Sequence, residues 1–376
     1  MHMLWVGTRK GLFVVRGGAG KWRIGEPHFA GDPVTQLLVD PRDGAWYAAL
    51  RLGHFGVKLR KSMDGGVSWQ EIAAPAFPPK PVDGPGKDDA TPWNVDLIWA
   101  LESAPASMSS LSPSSLSLPS VSRLWAGCLP AGLFSSADGG ASWQLMESLW
   151  QRPERKEWVG GGYDHAGIHS ILIDPRDDRH LTVGISCGGV WQSRDAGESW
   201  LNTSDGLQAD YMPPERRGDA NVQDPHRIAQ CAAEPDVLWM QHHCGLYRSG
   251  DGGLNWDAIA APAPSAFGFG VAAHPRDPLR AWVVPAHSDA RRMPVDGRML
   301  VNETRDGGAS FASHAEGLPQ HDAYHLVYRH ALAISSDGQT LAMGSTTGGL
   351  WVSEDAGLSW NCVSKDLPPI AVVQLA

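Results

Sequence analysis

Positive charge is in short supply in this chain. Its 376 residues carry 31 Lys and Arg against 41 Asp and Glu, a formal net charge of −10 at pH 7. A surface of that sign repels nucleic acid and anionic membranes, so neither is expected as a partner. The two basic clusters, 152–156 and 216–217, are mixed with Glu154, Glu157 and Glu215 and read as solvated loop charge. Cysteine is equally sparse. Cys128, Cys187, Cys231, Cys244 and Cys362 have no zinc-knuckle spacing, and an odd count argues against a disulfide framework. No apolar run approaches the roughly 18 residues that a membrane-spanning helix needs. The opening MHMLWVGTRKGLF enters a strand pattern directly, without the charged and apolar regions of a secretory leader, so a reduced, cytoplasmic protein is expected. Amphipathic helical stretches of 12 or more residues are missing too. No Gly-x-Ser-x-Gly elbow and no phosphate-cradling glycine loop stands before a helix, which leaves serine-hydrolase and nucleotide chemistry without support.

What the chain has in quantity is Gly (43), Pro (28) and Trp (17), the makings of a turn-rich all-β protein. Many of these residues belong to one repeated octet. It reads SMDGGVSW (62–69), SADGGASW (136–143), SRDAGESW (193–200), SGDGGLNW (249–256), TRDGGASF (304–311) and SEDAGLSW (353–360). The consensus is Ser/Thr-x-Asp-x-Gly-x-x-aromatic. The carboxylate can take nearby backbone N–H groups, the glycine tolerates positive φ, and the aromatic ring packs into the next layer. Copies separated by 49 to 74 residues indicate a propeller or another repeat array.

Around each octet lie short apolar or alternating runs punctuated by Gly and Asp, the pattern of strands. Expected first strands run over 34–39, 94–101, 167–173, 226–232, 268–273, 323–332 and 370–375. A seventh repeat stands at the start, where VRGGAGKW (15–22) occupies the octet position without its Asp. It lacks a first strand of its own, and 370–375 lacks a repeat to lead. Joining the two removes exposed sheet edges. The expected fold is therefore all-β: a single seven-bladed β-propeller over residues 1–376, closed by the C-terminal strand in the N-terminal blade. One segment departs from the pattern. Residues 103–123, rich in Ser and Pro, read as a flexible surface insertion.

The octets resemble the Asp-box, or bacterial neuraminidase repeat. The whole chain resembles bacterial sialidase-like proteins loosely described as BNR-repeat glycosyl hydrolases. That resemblance implies the propeller and suggests a hydrolase-like activity, but the box is a structural turn in sialidases, sorting receptors and assembly factors alike. Sialidase chemistry itself rests on an arginine triad, a Tyr–Glu pair and an Arg-Ile-Pro signature. This chain offers Arg23-Ile24-Gly25 on an expected outer strand, and seven blades in place of six. The sialidase catalytic signature is not found.

Strand alternation places the octets on one face and most long connections (74–93, 147–166, 204–225, 286–298 and 315–322) on the other, where a rigid scaffold usually carries its binding site. Ten of the 15 histidines fall on that second face. Among them, His54, His169, His226 and His243 stand at first-strand starts or in second-to-third-strand loops, expected to meet in one pocket. Converging imidazoles suit a divalent transition metal such as Fe, Zn, Mn or Ni. The alternatives are a metal-free polar pocket, or histidines that merely cap strand ends. Candidate catalytic groups are Asp164, His165, Asp224 and Arg292. Candidate ligand-binding groups are Tyr163, His287, Asp289, Tyr324 and His325. Two carboxylates across a scissile bond would make a glycosidase, and Asp164, Asp224, Asp289 and Asp322 are available. The expected function is an enzyme, hydrolase-like and metal-dependent in one reading, acting on a small polar molecule or glycan fragment. The competing reading is a non-catalytic binding or assembly scaffold.

Overall fold

The structure is a computed structural model that describes residues 2–83, 87, 89–104 and 123–375. Apart from its ends, the Ser/Pro-rich insertion lies outside the described residues. Among the described residues, twenty-eight strands form seven four-stranded sheets. The longest α-helix among the described residues is the four-residue Glu147–Trp150. This is the all-β, seven-bladed propeller class.

The described residues fall into two compact units. One comprises Met1–Val34, Asp205–Asp219 and Pro225–Ala376 and holds four of the sheets; the other comprises Thr35–Ser204 and Ala220–Asp224 and holds three. In both units the middle strands are apolar runs buried on both faces, such as Leu124–Leu129 and Leu181 to Ile185. The last strands are short and exposed, as in Lys21–Ile24 and Gln70–Ile72. Burial of apolar area thus falls mainly on the first three strands of each blade.

In the larger unit the N-terminal blade has the strand order Ile370–Leu375, His2–Thr8, Gly11–Gly18, Lys21–Ile24. The C-terminal strand pairs antiparallel with the N-terminal one, setting Val373 opposite Val6 and Leu375 opposite Leu4. On its other side the Val373 N–H donates to the His330 carbonyl at 2.9 Å. Ile370, Val372 and Val373 are consequently buried. The first strands at 34–39, 268–273 and 370–375 match their expected bounds, and those at Leu97–Ser103, Ile168–Asp174 and Pro225–Gln230 shift by a few residues. The expected strand at 323–332 is corrected to Leu332–Ile334. Residues before it make isolated bonds, such as Thr346 N–H to the Leu326 carbonyl, because the partner strand Leu341–Gly344 is only four residues long.

All six octets form the same knot of hydrogen bonds. In the first, Ser62 Oγ donates to Asp64 Oδ1 (2.7 Å) and accepts from Gly66 N (2.8 Å), while Ser68 donates through N (2.9 Å) and Oγ (2.5 Å) to the same carboxylate. The Ser68 hydroxyl, backbone N–H donors and the Ser62 hydroxyl hold Asp64 at a pKa of about 2. Asp138, Asp195 and Asp306 are held at about 2 in the same way. The aromatic residue then reaches the neighbouring blade: Trp143 Nε1 donates to the Ala73 carbonyl at 2.9 Å. A second recurrent turn joins first to second strands. Asp40 takes the Arg42 N–H and guanidinium, and Asp174 does the same with Arg176.

Candidate functional site

In the larger unit, the strand Pro225–Gln230 begins with His226 pointing into the interior, 2% exposed. Its Nδ1 lies 2.6 Å from the Gly268 carbonyl oxygen. A carbonyl only accepts, so in the neutral ring Nδ1 carries the proton and Nε2 the lone pair. The ring stacks on Phe269 with centroids 4.5 Å apart and planes at 11°. His243, from the turn after Leu238–His242, approaches edge-on at 5.3 Å. Phe267 meets both imidazoles, and Tyr211 meets His243 at 5.0 Å. The adjacent His242 has another role: its Nδ1 accepts the Cys244 N–H at 3.1 Å and its ring packs on Tyr247.

Phe269 links this cluster to the loop 286–298. The Arg292 guanidinium lies 5.6 Å from the Phe269 ring centroid and forms an ion pair with Asp289 at 2.5 Å. The buried Arg329 guanidinium lies 5.2 Å from the same ring. His287 and Asp289 are exposed at the start of this loop. The loop also contains Asp296, with a left-handed backbone at φ 54° and ψ 22°. The neighbouring loop carries Asp322, also left-handed at φ 53°. The two loops are joined by the Ala323 N–H, which donates to the Gly297 carbonyl at 3.0 Å. A methyl group at Gly297 would sit 3.4 Å from Asp322 N. Left-handed backbone is tolerated by Asp, and it also occurs at Ala196 and Ala356 in the octets; here it forms the tight turns of the two loops. Tyr324 stands beside them, 64% exposed. His325 is turned away: it packs on Trp351, and its Nδ1 contacts Thr347 Oγ1. Burial and the Lys365 charge push its pKa below the ordinary imidazole value.

The smaller unit holds the other sequence-derived candidates. His54 sits on the exposed turn Gly53–Phe55, whereas His169 is fully buried, its Nδ1 3.0 Å from Ser170 Oγ. Trp99 packs edge-on against both His169 (5.4 Å) and Tyr163 (5.2 Å). Asp164 is exposed. His165 lines a small open cleft with Trp150, Trp158, Arg155 and Thr91. Arg155 is committed to that wall: it lies 3.8 Å from the Trp150 ring centroid, bonds Thr91 Oγ1, and pairs with Asp89. Asp224 is buried, and its Oδ1 accepts from Ser186 Oγ (3.2 Å) and Cys187 N (3.1 Å). The backbone at Gly161 passes so close that a Cβ would meet Ser186 Oγ at 2.5 Å and Asp224 Oδ2 at 3.1 Å, so any larger residue must displace these side chains.

The structure therefore brings His226 together with His243, and Arg292 with Asp289. His54 and His169 occupy unlike settings, one on the surface and one in the core. Sequence reasoning overlooked Phe269, Arg329 and Asp296. The first had a signal: in the strand run FGFG (267–270), alternate residues share a face, so Phe267 implied Phe269.

No family model matches the chain. A curated relative, an oligoxyloglucan-reducing end-specific xyloglucanase from Emericella nidulans, is 33% identical over 79 residues, which is 21% of this chain and 9% of that protein. An ancestral GH74 enzyme has a structure similar over 99% of this chain and 40% of its own, at 16% identity and a TM-score of 0.58. YCF48 from Cyanidioschyzon merolae is similar over 93% of this chain and 90% of its own, at 14% identity and a TM-score of 0.55. YCF48 bound to a D1 peptide gives 88% and 80% coverage, 11% identity and a TM-score of 0.50. These likenesses place the fold among propellers that include GH74 glycosyl hydrolases and YCF48. The chain spans less than two thirds of both the xyloglucanase and the ancestral GH74 enzyme.

Proposed function

We propose that this propeller recognises a glycan or a related small polar molecule and acts on it as a hydrolase. The carrying observation is the pair of neighbouring loops that present Asp296 and Asp322, both left-handed, beside exposed Tyr324. Glycoside hydrolysis needs two carboxyl groups flanking the bond, one to protonate the leaving oxygen and one to assist the nucleophile. An exposed aromatic ring supplies the stacking surface that a sugar needs. Asp289, held by Arg292, adds a fixed acceptor for sugar hydroxyl groups. The local sequence likeness to a xyloglucanase and the shared fold with a GH74 enzyme support this substrate class.

The test is reducing-end release from a panel of oligosaccharides that includes xyloglucan fragments. Asp296→Asn and Asp322→Asn should each lower turnover at least 100-fold, and Tyr324→Ala should weaken binding about tenfold, near 1.4 kcal/mol. Asp164→Asn and His165→Gln examine the catalytic candidates of the other unit. Unchanged turnover in both loop variants would refute the carboxylate assignment. A panel with neither binding nor cleavage would refute the glycan reading.

A second reading is a binding scaffold. It is favoured by Phe55, 80% exposed on the same turn as His54, and by likeness to most of the YCF48 chain. Under that reading, Phe55→Ser abolishes capture of a partner polypeptide and leaves any sugar binding untouched.

A further inference from the structure

The geometry points to a divalent transition-metal site built on His226 and His243, independent of whether the protein hydrolyses a glycan. Two observations carry it. The Gly268 carbonyl fixes the protonated nitrogen of His226 as Nδ1, which leaves the lone pair on Nε2. A second imidazole, His243, stands beside it, and the two rings offer ring nitrogens within 4.8 Å of each other.

A backbone carbonyl on the far nitrogen is the usual device that orients a metal-binding histidine and raises its basicity. His242, one residue before His243, shows the opposite arrangement: its Nδ1 accepts a backbone N–H, so that ring serves the turn. The setting also suits coordination. Phe267 and Phe269 pack on the His226 ring and lower the local dielectric, while His243 is only partly buried and has room to adjust. Metal–nitrogen bonds of about 2.0–2.1 Å hold two ligand nitrogens on one ion at most about 4.2 Å apart, close to the separation limit of these two rings. Paired imidazoles favour Zn(II), Ni(II) and Cu(II) over Mn(II).

The experiment uses the full chain, purified without a histidine tag and dialysed against chelator. Titration with Zn(II) and Ni(II) by calorimetry should show one equivalent bound. His243→Gln, at a partly exposed position that tolerates the change, should weaken binding at least tenfold. Substoichiometric Cu(II) should give an electron paramagnetic resonance signal with coupling to two imidazole nitrogens, reduced to one in His243→Gln and in folded His226→Gln. His321→Gln, at an exposed side chain, should leave both readouts unchanged. Absence of stoichiometric binding, wild-type affinity in His243→Gln, or equal weakening by His321→Gln would each overturn the assignment. None of these results depends on glycan turnover, so the site and the hydrolase reading fail separately.

Discussion

Replacing Ile370 with alanine tests whether the C-terminal strand holds the N-terminal blade together. Ile370 is 2% exposed and lies opposite Thr8 in the ladder. Its Cγ2 also fills the space above Gly344, where a Cβ would come within 2.4 Å. A buried Ile→Ala change costs about 2–5 kcal/mol, set by how far the site can collapse. Gly344 has no side chain with which to fill the gap, so the upper half of that range is expected. Total stability is about 5–15 kcal/mol for a typical domain. With a urea slope of at least about 3 kcal/mol/M, the midpoint should fall by roughly 1 M. Ile24→Ala provides the contrast. It lies in the last strand of the same blade at 37% exposure, and its replacement should cost no more than about 0.5–1 kcal/mol. Urea titrations followed by tryptophan fluorescence measure both. Removing residues 369–376 altogether uncovers Leu4 and Val6 and strips the partner from a buried edge, so a cooperative native transition should be lost. Equal shifts for Ile370→Ala and Ile24→Ala, or a truncated protein that melts within one or two degrees of full length, would refute the closure.

Three further outcomes are expected. Asp195→Ala should cost about 1–2 kcal/mol through lost bonds to Ser199 and Ser193, discounted because the carboxylate is largely exposed, and should leave ligand and metal affinity unchanged; loss of binding in the folded variant would tie the octet to the site. Asp64, Asp138 and Asp306 titrate at about 2 in the folded chain against an ordinary 3.8, so the unfolded chain binds more protons between these values. Their stabilisation is complete above about pH 4 and lost as pH falls toward 2, and the acid limb of a stability–pH curve should flatten in a combined Asp64→Asn, Asp138→Asn, Asp306→Asn variant. Gly161→Ala should displace Ser186 and Asp224 and lower the melting temperature, checked by calorimetry; an unchanged melting temperature would show that the close backbone approach has no energetic consequence.

The blades were legible because their signal is local and repeated. Ser62, Asp64, Gly66 and Ser68 form a bond set whose members lie within six residues, so the spacing alone describes the turn. The closing strand was legible for a different reason: an incomplete first repeat and an unmatched final strand complement each other. The strand expected at 323–332 failed because pairing depends on the length of the partner, which an apolar run does not encode. At the candidate site the same limit applies more severely. His226 and His243 read as equals in sequence with His54, yet a carbonyl from Gly268, 42 residues away, selects the tautomer of one, and an aromatic wall from another blade sets its surroundings.

That difference also separates the octets from the chemistry. An octet carboxylate spends its oxygens on hydroxyl and backbone donors of its own turn, and its low pKa records that commitment. Asp322 and Asp296 make a different use of their positions. Each adopts a backbone conformation that costs energy, and they sit on loops tied together by a bond from Ala323 to Gly297. Strain held in place by a cross-loop bond has to be stabilised by the surrounding fold, and the packed blades beneath those loops supply the rigidity to do so. If the strain served the fold alone, Asp296→Gly and Asp322→Gly, which relieve the left-handed cost, would stabilise the protein and leave sugar binding intact. The proposed function differs in the second readout: with a stability change of at most about 0.5–1 kcal/mol, both variants lose turnover. Stability and reducing-end release measured on the same two variants decide between them.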